Sequence, residues 1–259
     1  MPLRQSLVGA SALLLLLALA ASAGAADLAV YSTIGVKNAF EELAPRFEKD
    51  SGTKLNITWS TGTMLAKRIA GGETADVLIA APAEVDGLVK AGKLDPGTPA
   101  IVSRVIFAVG AKAGNAKPDI STVEAFKAAL LSAKAIAYTN PAAGGQSGVY
   151  FAKQLERLGI AEQMKEKTKF PPPGGFVGTL ILNGEADLAI QSKPELLSVA
   201  GVEVIGPLPG DMAFTSTQTA AVVTGAKEKE AAKAFIAFLR SPDAQRVFRS
   251  KGYEPASAQ

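Results

Sequence analysis

The sequence predicts an α/β protein of two doubly wound lobes, each a parallel sheet covered by helices on both faces. One segment occurs twice in similar form, as Gly-Glu-Thr-Ala-Asp at 72–76 and as Gly-Glu-Ala-Asp at 184–187, each between a helical pattern and a short apolar run. The copies lie too far apart for a solenoid repeat and fit one copy in each lobe. Strand and helix patterns also alternate along the chain, as in parallel sheets.

The first lobe begins with three strand patterns. Residues 28–32, 55–59 and 77–80 are short apolar runs. Apolar residues at helical spacing follow the first two runs, over 39–47 and 64–70. Such strand–helix units predict neighbouring parallel strands.

The second lobe repeats this alternation. The predicted strands and helices there are strands at 105–109, 135–138, 188–190 and 202–205, and helices at 123–131, 148–158 and 176–182. A further strand at 220–223 and a helix at 230–239 close the chain.

The order of these elements predicts how the lobes are connected. If the last strand and helix return to the first lobe, the chain crosses twice, near Ser103 and Arg104 and within 215–219, and the two crossings form a hinge. One lobe would then be 27–103 with 215–259, and the other 104–214. The alternative is a simple division into two consecutive domains.

The N-terminus is predicted to be a cleavable secretory signal peptide, residues 1–26. Arg4 precedes an apolar run over 7–20, and small residues at 21–25 fit a cleavage site. The run is short for a membrane anchor, which is the alternative. The mature chain, from about Ala26 or Asp27, is expected in the periplasm.

Composition excludes several classes of protein. The chain has 27 lysines and arginines against 24 aspartates and glutamates, a balance that argues against a nucleic-acid binder. It has no cysteine and no histidine, which excludes thiol nucleophiles, Cys or His zinc sites, haem attachment and Ser-His couples. These absences remove most hydrolase mechanisms. We expect neither enzymatic activity nor a cofactor.

An exported acyl enzyme is the alternative class. Ser51 and Lys54 have the Ser-x-x-Lys spacing of such enzymes, but they lie in a predicted turn, and neither Ser-Asp-Asn nor Lys-Thr-Gly is present. We interpret the match as fortuitous.

Four turns rich in small residues predict the ligand site. They follow strands and precede helices, and they comprise 32–35, 60–63, 144–148 and 174–178. Ligands of open parallel sheets bind at such junctions, where helix N-termini present unpaired N–H groups. Each turn alone is better explained by helix capping, so the prediction rests on all four turns lying at such junctions, two in each lobe. Neither Gly-rich turn matches a nucleotide-binding fingerprint.

Several blocks of the chain resemble one family. They are LAVYSTIGVKNAFEELAPRFEKDSG, LAKRIAGGETADVLIAAP, NPAAGGQSGVYFAKQLERLGI, NGEADLAI and AAKAFIAFLRSPDAQRVFRSKGYEP. Together they resemble the ModA family of periplasmic molybdate-binding proteins, which are type II substrate-binding proteins of ABC importers. The resemblance implies that a monomer captures a molybdate- or tungstate-like oxyanion between two lobes and delivers it to a membrane permease.

The resemblance also implies site residues. The family holds its oxyanion with Ser hydroxyls, backbone amides and a Tyr hydroxyl, without a countercharge. The two serines fall on Gly35 and Gly62, the backbone donors on Ser147 and Val177, and the tyrosine on Ser192. Neighbouring candidates are Ser32, Thr33, Ser60, Thr61, Thr63, Gln146, Gly148 and Gln191.

These replacements also predict an alternative ligand. Three side-chain donors are missing or displaced and the site is wider, which favours a small organic anion with two or three carboxylates, for import or for sensing. Arg104 is the candidate cation that would clamp a carboxylate, with Lys37 and Arg68 as rivals.

Overall fold

Strands and helices alternate through most of the described chain. The computed structural model describes residues 27–143, 145–172 and 175–256, so the predicted signal peptide lies outside the described residues. The strands are β1 (Asp27–Thr33), β2 (Lys54–Ser60), β3 (Val77–Ala80), β4 (Ala100–Lys112), β5 (Ile136–Tyr138), β6 (Thr168–Lys169), β7 (Leu188–Ser192), β8 (Val202–Pro207) and β9 (Thr215–Val222). The helices are α1 (Lys37–Ser51), α2 (Gly62–Ala70), α3 (Pro82–Lys90), α4 (Val123–Ser132), α5 (Gln146–Arg157), α6 (Ala161–Lys165), α7 (Gly178–Leu182), α8 (Lys193–Leu197), α9 (Lys229–Leu239) and α10 (Pro242–Ser250).

The strands pair in the order β2-β1-β3-β9-β4-β7-β5-β6, and β8 pairs with β4. The strands β1, β2 and β3 are parallel, and so are β5, β6 and β7. Each parallel set has the predicted strand–helix alternation, which confirms the α/β fold class. The sheet as a whole is mixed, because β4 and β9 run antiparallel to their neighbours.

Two strands, β4 and β9, connect the two halves of the sheet: the first half contains β1, β2 and β3, and the second contains β5, β6 and β7. The segment 100–106 of β4 pairs with β9, and 107–110 continues along β7. The other end of β9, residues 219–222, pairs with β3. The chain therefore returns to its first half through β9, in the region where the sequence predicts the crossings. The residue boundaries of the two lobes stay a prediction.

Apolar clusters cover both faces of the sheet in each half. Along β3, Ile79 joins the largest cluster while its neighbour Leu78 joins a second one under α2 and α3. Along β7, Ile190 joins the largest cluster and Ala189 a third one beside α7 and α8. Adjacent strand residues point to opposite faces, so each half has helices on both faces.

The sequence patterns miss five elements: α3, α6, α8, α10 and β6. Three of the helices begin with proline near their first position, at Pro82, Pro194 and Pro242, and none of the three extends beyond nine residues. Such short helices contain too few turns for a clear apolar periodicity.

Among the helices that the structure describes, none combines the length and the apolar character of a membrane span.

The duplicated aspartates have the same structural role. The backbone N–H of Asp76 donates to Ala29 O (2.8 Å), and its Oδ2 accepts from Ala29 N (2.8 Å). Asp187 likewise donates to Ala135 O (2.9 Å) and accepts from Lys134 N (2.7 Å). Each aspartate therefore adds a side-chain bond to the start of a parallel strand pair.

The side chain of Asp76, in the first copy, accepts more hydrogen bonds than that of Asp187. Asp76 is 4% exposed, and its Oδ1 also accepts from the backbone N–H groups of Lys227 (2.8 Å) and Glu228 (3.1 Å), which precede α9. Asp187 is exposed. The buried carboxylate thus joins β1, β3 and the return of the chain to the first half.

Replacing Asp76 with alanine should strongly destabilise the protein. The change leaves three N–H groups without an acceptor, and we expect a loss of about 3–5 kcal/mol in the free energy of unfolding. Urea denaturation followed by circular dichroism measures this loss.

Asp187→Ala is the matched control. It removes one bond at an exposed position, and the expected loss is about 1 kcal/mol or less. Equal losses for the two variants would contradict the unequal roles of the copies.

Candidate functional site

A cleft of about 230 Å³ lies between the two halves. Residues at or just after the carboxyl ends of β1, β2, β3, β5 and β7 line it, together with residues of β4 and β9. Carboxyl ends of parallel strands are where open α/β sheets bind ligands. The cleft therefore lies at the junctions that the sequence indicates.

Nine of the predicted site residues line this cleft. They are Thr33, Gly35, Ser60, Thr61, Gly62, Gln146, Ser147, Gln191 and Ser192. The two halves both contribute, so a ligand in the cleft would contact both. Their contact with a ligand stays a prediction.

Arg104 lies outside the cleft lining, which corrects the proposed carboxylate clamp. Its strand neighbours Val105 and Phe107 line the cleft, and adjacent residues of a strand point to opposite faces. The Arg104 backbone instead forms a bridge with Glu254 (N–O distances of 3.2 and 2.9 Å). No lysine or arginine is among the described residues that line the cleft.

Four further predicted residues also lie outside the lining. Ser32 is fully buried, and Val177 is 1% exposed. Thr63 donates its hydroxyl to Glu84 Oε1 (3.2 Å). At Gly148 a Cβ atom would lie 1.9 Å from Thr139 O, so this glycine permits the close packing of α5 on the end of β5. These four residues therefore lie near the cleft in sequence but do not line it.

Two helices of nine and twelve residues, α2 and α5, begin at the cleft. Gly62 and Gln146 open α2 and α5, and both residues line it. The hydroxyl oxygen of Thr61 accepts from Met64 N (3.3 Å), whereas α5 has no side-chain cap. The free N–H groups and the partial positive charge of such termini favour negative ligand atoms.

A hydrogen-bond network holds the polar side chains of the second half in place. Thr139 Oγ1 accepts from Gln191 Nε2 (2.7 Å) and from Ser147 Oγ (3.3 Å). Gln191 Oε1 accepts from Ser192 N (2.8 Å). One hydroxyl thus orients residues from β7 and α5 at the same wall, which reduces the entropy lost on binding.

A second polar contact joins the crossing strand to the second half. Ser216 Oγ donates to Gln146 Oε1, and Gln218 Nε2 donates to Ser216 Oγ (3.2 Å). All three side chains line the cleft. A ligand there would touch both α5 and β9.

Two carboxyl groups face the same cleft. Glu195 is partly buried, and burial raises the pKa of its carboxyl to about 7, while a hydrogen bond from Ser192 Oγ to Oε1 (2.9 Å) partly offsets this rise. Across the cleft, Glu84 Oε2 is buried without a hydrogen-bond partner among the described residues. The cleft is therefore rich in neutral donors and contains an acid that is half protonated near neutral pH.

Comparison with known proteins shows the family to which the chain belongs. The model of the family "Bacterial extracellular solute-binding protein" matches residues 28–254. The chain belongs to this family. This match, together with the relatives and the solved structure described next, confirms the ModA-like resemblance and the type II periplasmic binding protein architecture.

Two curated relatives of this solute-binding protein have different names. An aconitate isomerase from a Pseudomonas species is 31% identical over 238 residues, covering 90% of this chain and 89% of that protein. The molybdate-binding protein ModA of Escherichia coli is 25% identical over 230 residues, covering 87% and 88%. The periplasmic molybdate-binding protein of Azotobacter vinelandii has the same fold, with a TM-score of 0.73 at 21% identity, covering 90% of this chain and 100% of that one.

Sequence reasoning missed several lining residues of this family member. Thr139 and Asn140 directly follow the predicted strand 135–138, so the strand-end rule could have found them. Glu84 and Glu195 lie in α3 and α8, two helices that the sequence patterns miss. No spacing signal marked these two carboxyl groups.

Gly148→Ala should weaken both stability and binding. The added methyl would collide with Thr139 O, so α5 must shift and the Thr139 network with it. We expect a loss of about 2–4 kcal/mol in the free energy of unfolding. Gly87→Ala in α3 is the control, because its Cβ meets nothing within 4 Å and should stabilise by about 0.5–1 kcal/mol. Unchanged stability of Gly148→Ala in urea denaturation would contradict the packing argument.

Proposed function

We propose that this protein captures a small organic acid with two or three carboxylates and delivers it to an ABC importer. The supporting observation is the cleft itself. It offers hydroxyl, amide and helix N-terminal donors from both halves, and no lysine or arginine is among its described lining residues. Oxygen atoms of an organic anion accept such bonds without a countercharge.

Size favours the organic acid over a tetrahedral oxyanion. At about 30 Å³ for each water molecule, the cleft has room for roughly seven waters. A molybdate ion, one atom with four oxygens, fills only part of this space. Gly35 and Gly62, where the resembled family has serines, line the cleft and widen it further.

The relatives support the same choice. The relative named aconitate isomerase is 31% identical, against 25% for the E. coli molybdate-binding protein. Aconitate is an unsaturated acid with three carboxylates. A tricarboxylate is therefore the ligand class that we propose, and molybdate is its rival.

The proposed mechanism is closure of the two halves on the ligand. Donors of β1 and α2 lie on one side of the cleft, and those of α5 and β7 on the other. A ligand that bonds to both sides stabilises the closed state relative to the open one. The flexing would occur in β4 and β9, which join the halves.

Location and partners complete the proposal. The family consists of extracellular solute-binding proteins, and we place this protein in the periplasm as a monomer, after cleavage of the predicted signal peptide 1–26. The closed form would dock on the membrane permease of the importer. A sensor that passes the same ligand to a receptor is the alternative use of this scaffold.

Calorimetry of ligand-stripped protein tests the ligand class. We expect trans-aconitate or citrate to bind at least about tenfold more tightly than molybdate or sulfate. Thr139→Val, which removes the hydroxyl that orients Gln191 and Ser147, should weaken this binding about tenfold. Thr58→Val on β2, outside the lining residues, is the control. Tighter binding of molybdate than of every organic acid would contradict the proposal.

A second candidate function is isomerisation of the bound acid. Glu195 favours it, because a carboxyl with a pKa of about 7 exchanges protons readily at neutral pH. Its carboxylate would take a proton from the methylene carbon beside one ligand carboxylate. The electron pair would form a new double bond to the central carbon as the old one breaks, and the proton would return to the far carbon. The conformation in which the cleft holds the methylene group would set whether the new double bond is cis or trans.

Proton NMR of cis-aconitate incubated with the protein tests this activity. If it is present, the trans isomer forms faster than in buffer, and Glu195→Gln lowers the rate by about a hundredfold or more. Glu166→Gln, at the exposed C-terminal end of α6 and outside the cleft lining, should leave the rate unchanged. A wild-type rate equal to that in buffer would leave binding as the function.

A further inference from the structure

We propose that the cleft binds its anion together with one proton, which the Glu195 carboxyl holds and shares with the ligand. This inference rests on the proposed function, since it concerns the anion placed in the cleft. It adds a regulatory property to that site: capture depends on pH.

The charge distribution of the cleft favours the uptake of a proton with the anion. Glu84 and Glu195 line it from opposite halves, and no lysine or arginine is among the described lining residues. An anion entering between two ionised carboxylates would be repelled in a partly desolvated space. A protonated carboxyl removes one of these charges and donates a hydrogen bond to the ligand instead.

The geometry selects Glu195 for this role. Ser192 Oγ donates to its Oε1 (2.9 Å), which leaves Oε2 as the oxygen that carries the proton. Burial places the pKa of this carboxyl at about 7, so it is half protonated in the empty protein at neutral pH. A negative ligand raises that pKa further and draws in a proton on binding.

Glu84, on the opposite wall of the cleft, offers an acceptor to the ligand. Thr63 Oγ1 donates to its Oε1 (3.2 Å), and its buried Oε2 has no partner in the described part of the chain. This oxygen can accept a bond from a hydroxyl or a protonated carboxyl of the ligand.

No charged group in the described part of the chain is a cause of the Glu195 pKa shift. The helix α8 packs on β4, β7 and β8, and β7 has no titratable side chain. Burial and the Ser192 bond are the causes of the Glu195 pKa shift, so the charged groups of the neighbouring elements are not among them: Arg104 and Lys112 on β4, Glu203 on β8 and Lys193 on α8. The Tyr253 phenol senses Glu195, but burial raises its pKa and keeps it neutral.

The consequence is a predicted pH dependence of affinity. Below about pH 6, Glu195 is protonated in both the empty and the loaded protein, and affinity is constant. As pH rises well above 7, the empty protein ionises, and each further unit weakens binding about tenfold, because one proton must be taken up per ligand.

Isothermal titration calorimetry with trans-aconitate and with molybdate, from about pH 6 to pH 8.5, tests the inference. Both anions are ionised above pH 7, so their own titration does not produce the effect. Two buffers of different ionisation enthalpy count the protons taken up. We expect close to one proton per ligand at pH 8 and an affinity that falls about tenfold per unit there.

Glu195→Gln is the decisive variant. Its amide is neutral at every pH and still forms hydrogen bonds, so we expect binding that no longer changes with pH. Glu166→Gln makes the same change of charge at an exposed position outside the cleft lining and should retain the wild-type slope.

The outcomes separate the two proposals. Anion binding with no pH dependence and no proton uptake overturns this inference and leaves the proposed function intact. A slope that persists in Glu195→Gln overturns it too. If that variant does not fold, proton uptake by the wild type decides. Failure of both anions to bind at any pH overturns the proposed function and this inference together.

Discussion

The antiparallel pairing of β4 with β9 is the constraint on which the other features of the structure depend. Ala100 to Ile106 of β4 face Ala220 to Thr215 of β9, and beyond that segment the two strands continue into different halves. Because β9 also pairs with β3, and β4 with β7 and β8, one ladder joins the two parallel sets. The carboxyl ends of both sets then open toward a shared space. The cleft is a geometric result of this pairing.

The chemistry of the cleft follows from what the chain lacks. The chain has no histidine or cysteine, and among the described lining residues the ionisable groups are the carboxyls of Glu84 and Glu195, while the other polar groups are hydroxyls, amides and helix termini. Neutral donors discriminate among anions by position and number more than by charge. The second copy of the duplicated segment leads through β7 directly to Gln191 and Ser192, so the repeat that builds the lobes also ends at the site.

Much of the fold could be predicted from sequence because apolar periodicity and strand-end turns are local signals. Thr33, Thr61 and Ser147 were predicted at such turns and lie together at the cleft. The side of β4 on which Arg104 lies could not be predicted, because apolar residues flank it without alternation and the ladder has a register shift between Ile101 and Ser103. Glu195 lay in a helix too short to show a period.

The C-terminal segment has a consequence for how the protein is made. β9 supplies the strand between β3 and β4, and Tyr253 donates to Gly35 O (2.9 Å) at the cleft. These residues are synthesised after β1, β2, β3 and β4. The edge of β3 that β9 covers therefore stays unpaired until β9 has been synthesised. A chain cut short before β9 would expose that edge, while a chain that includes β9 pairs the edge and supplies part of the cleft wall in the same step.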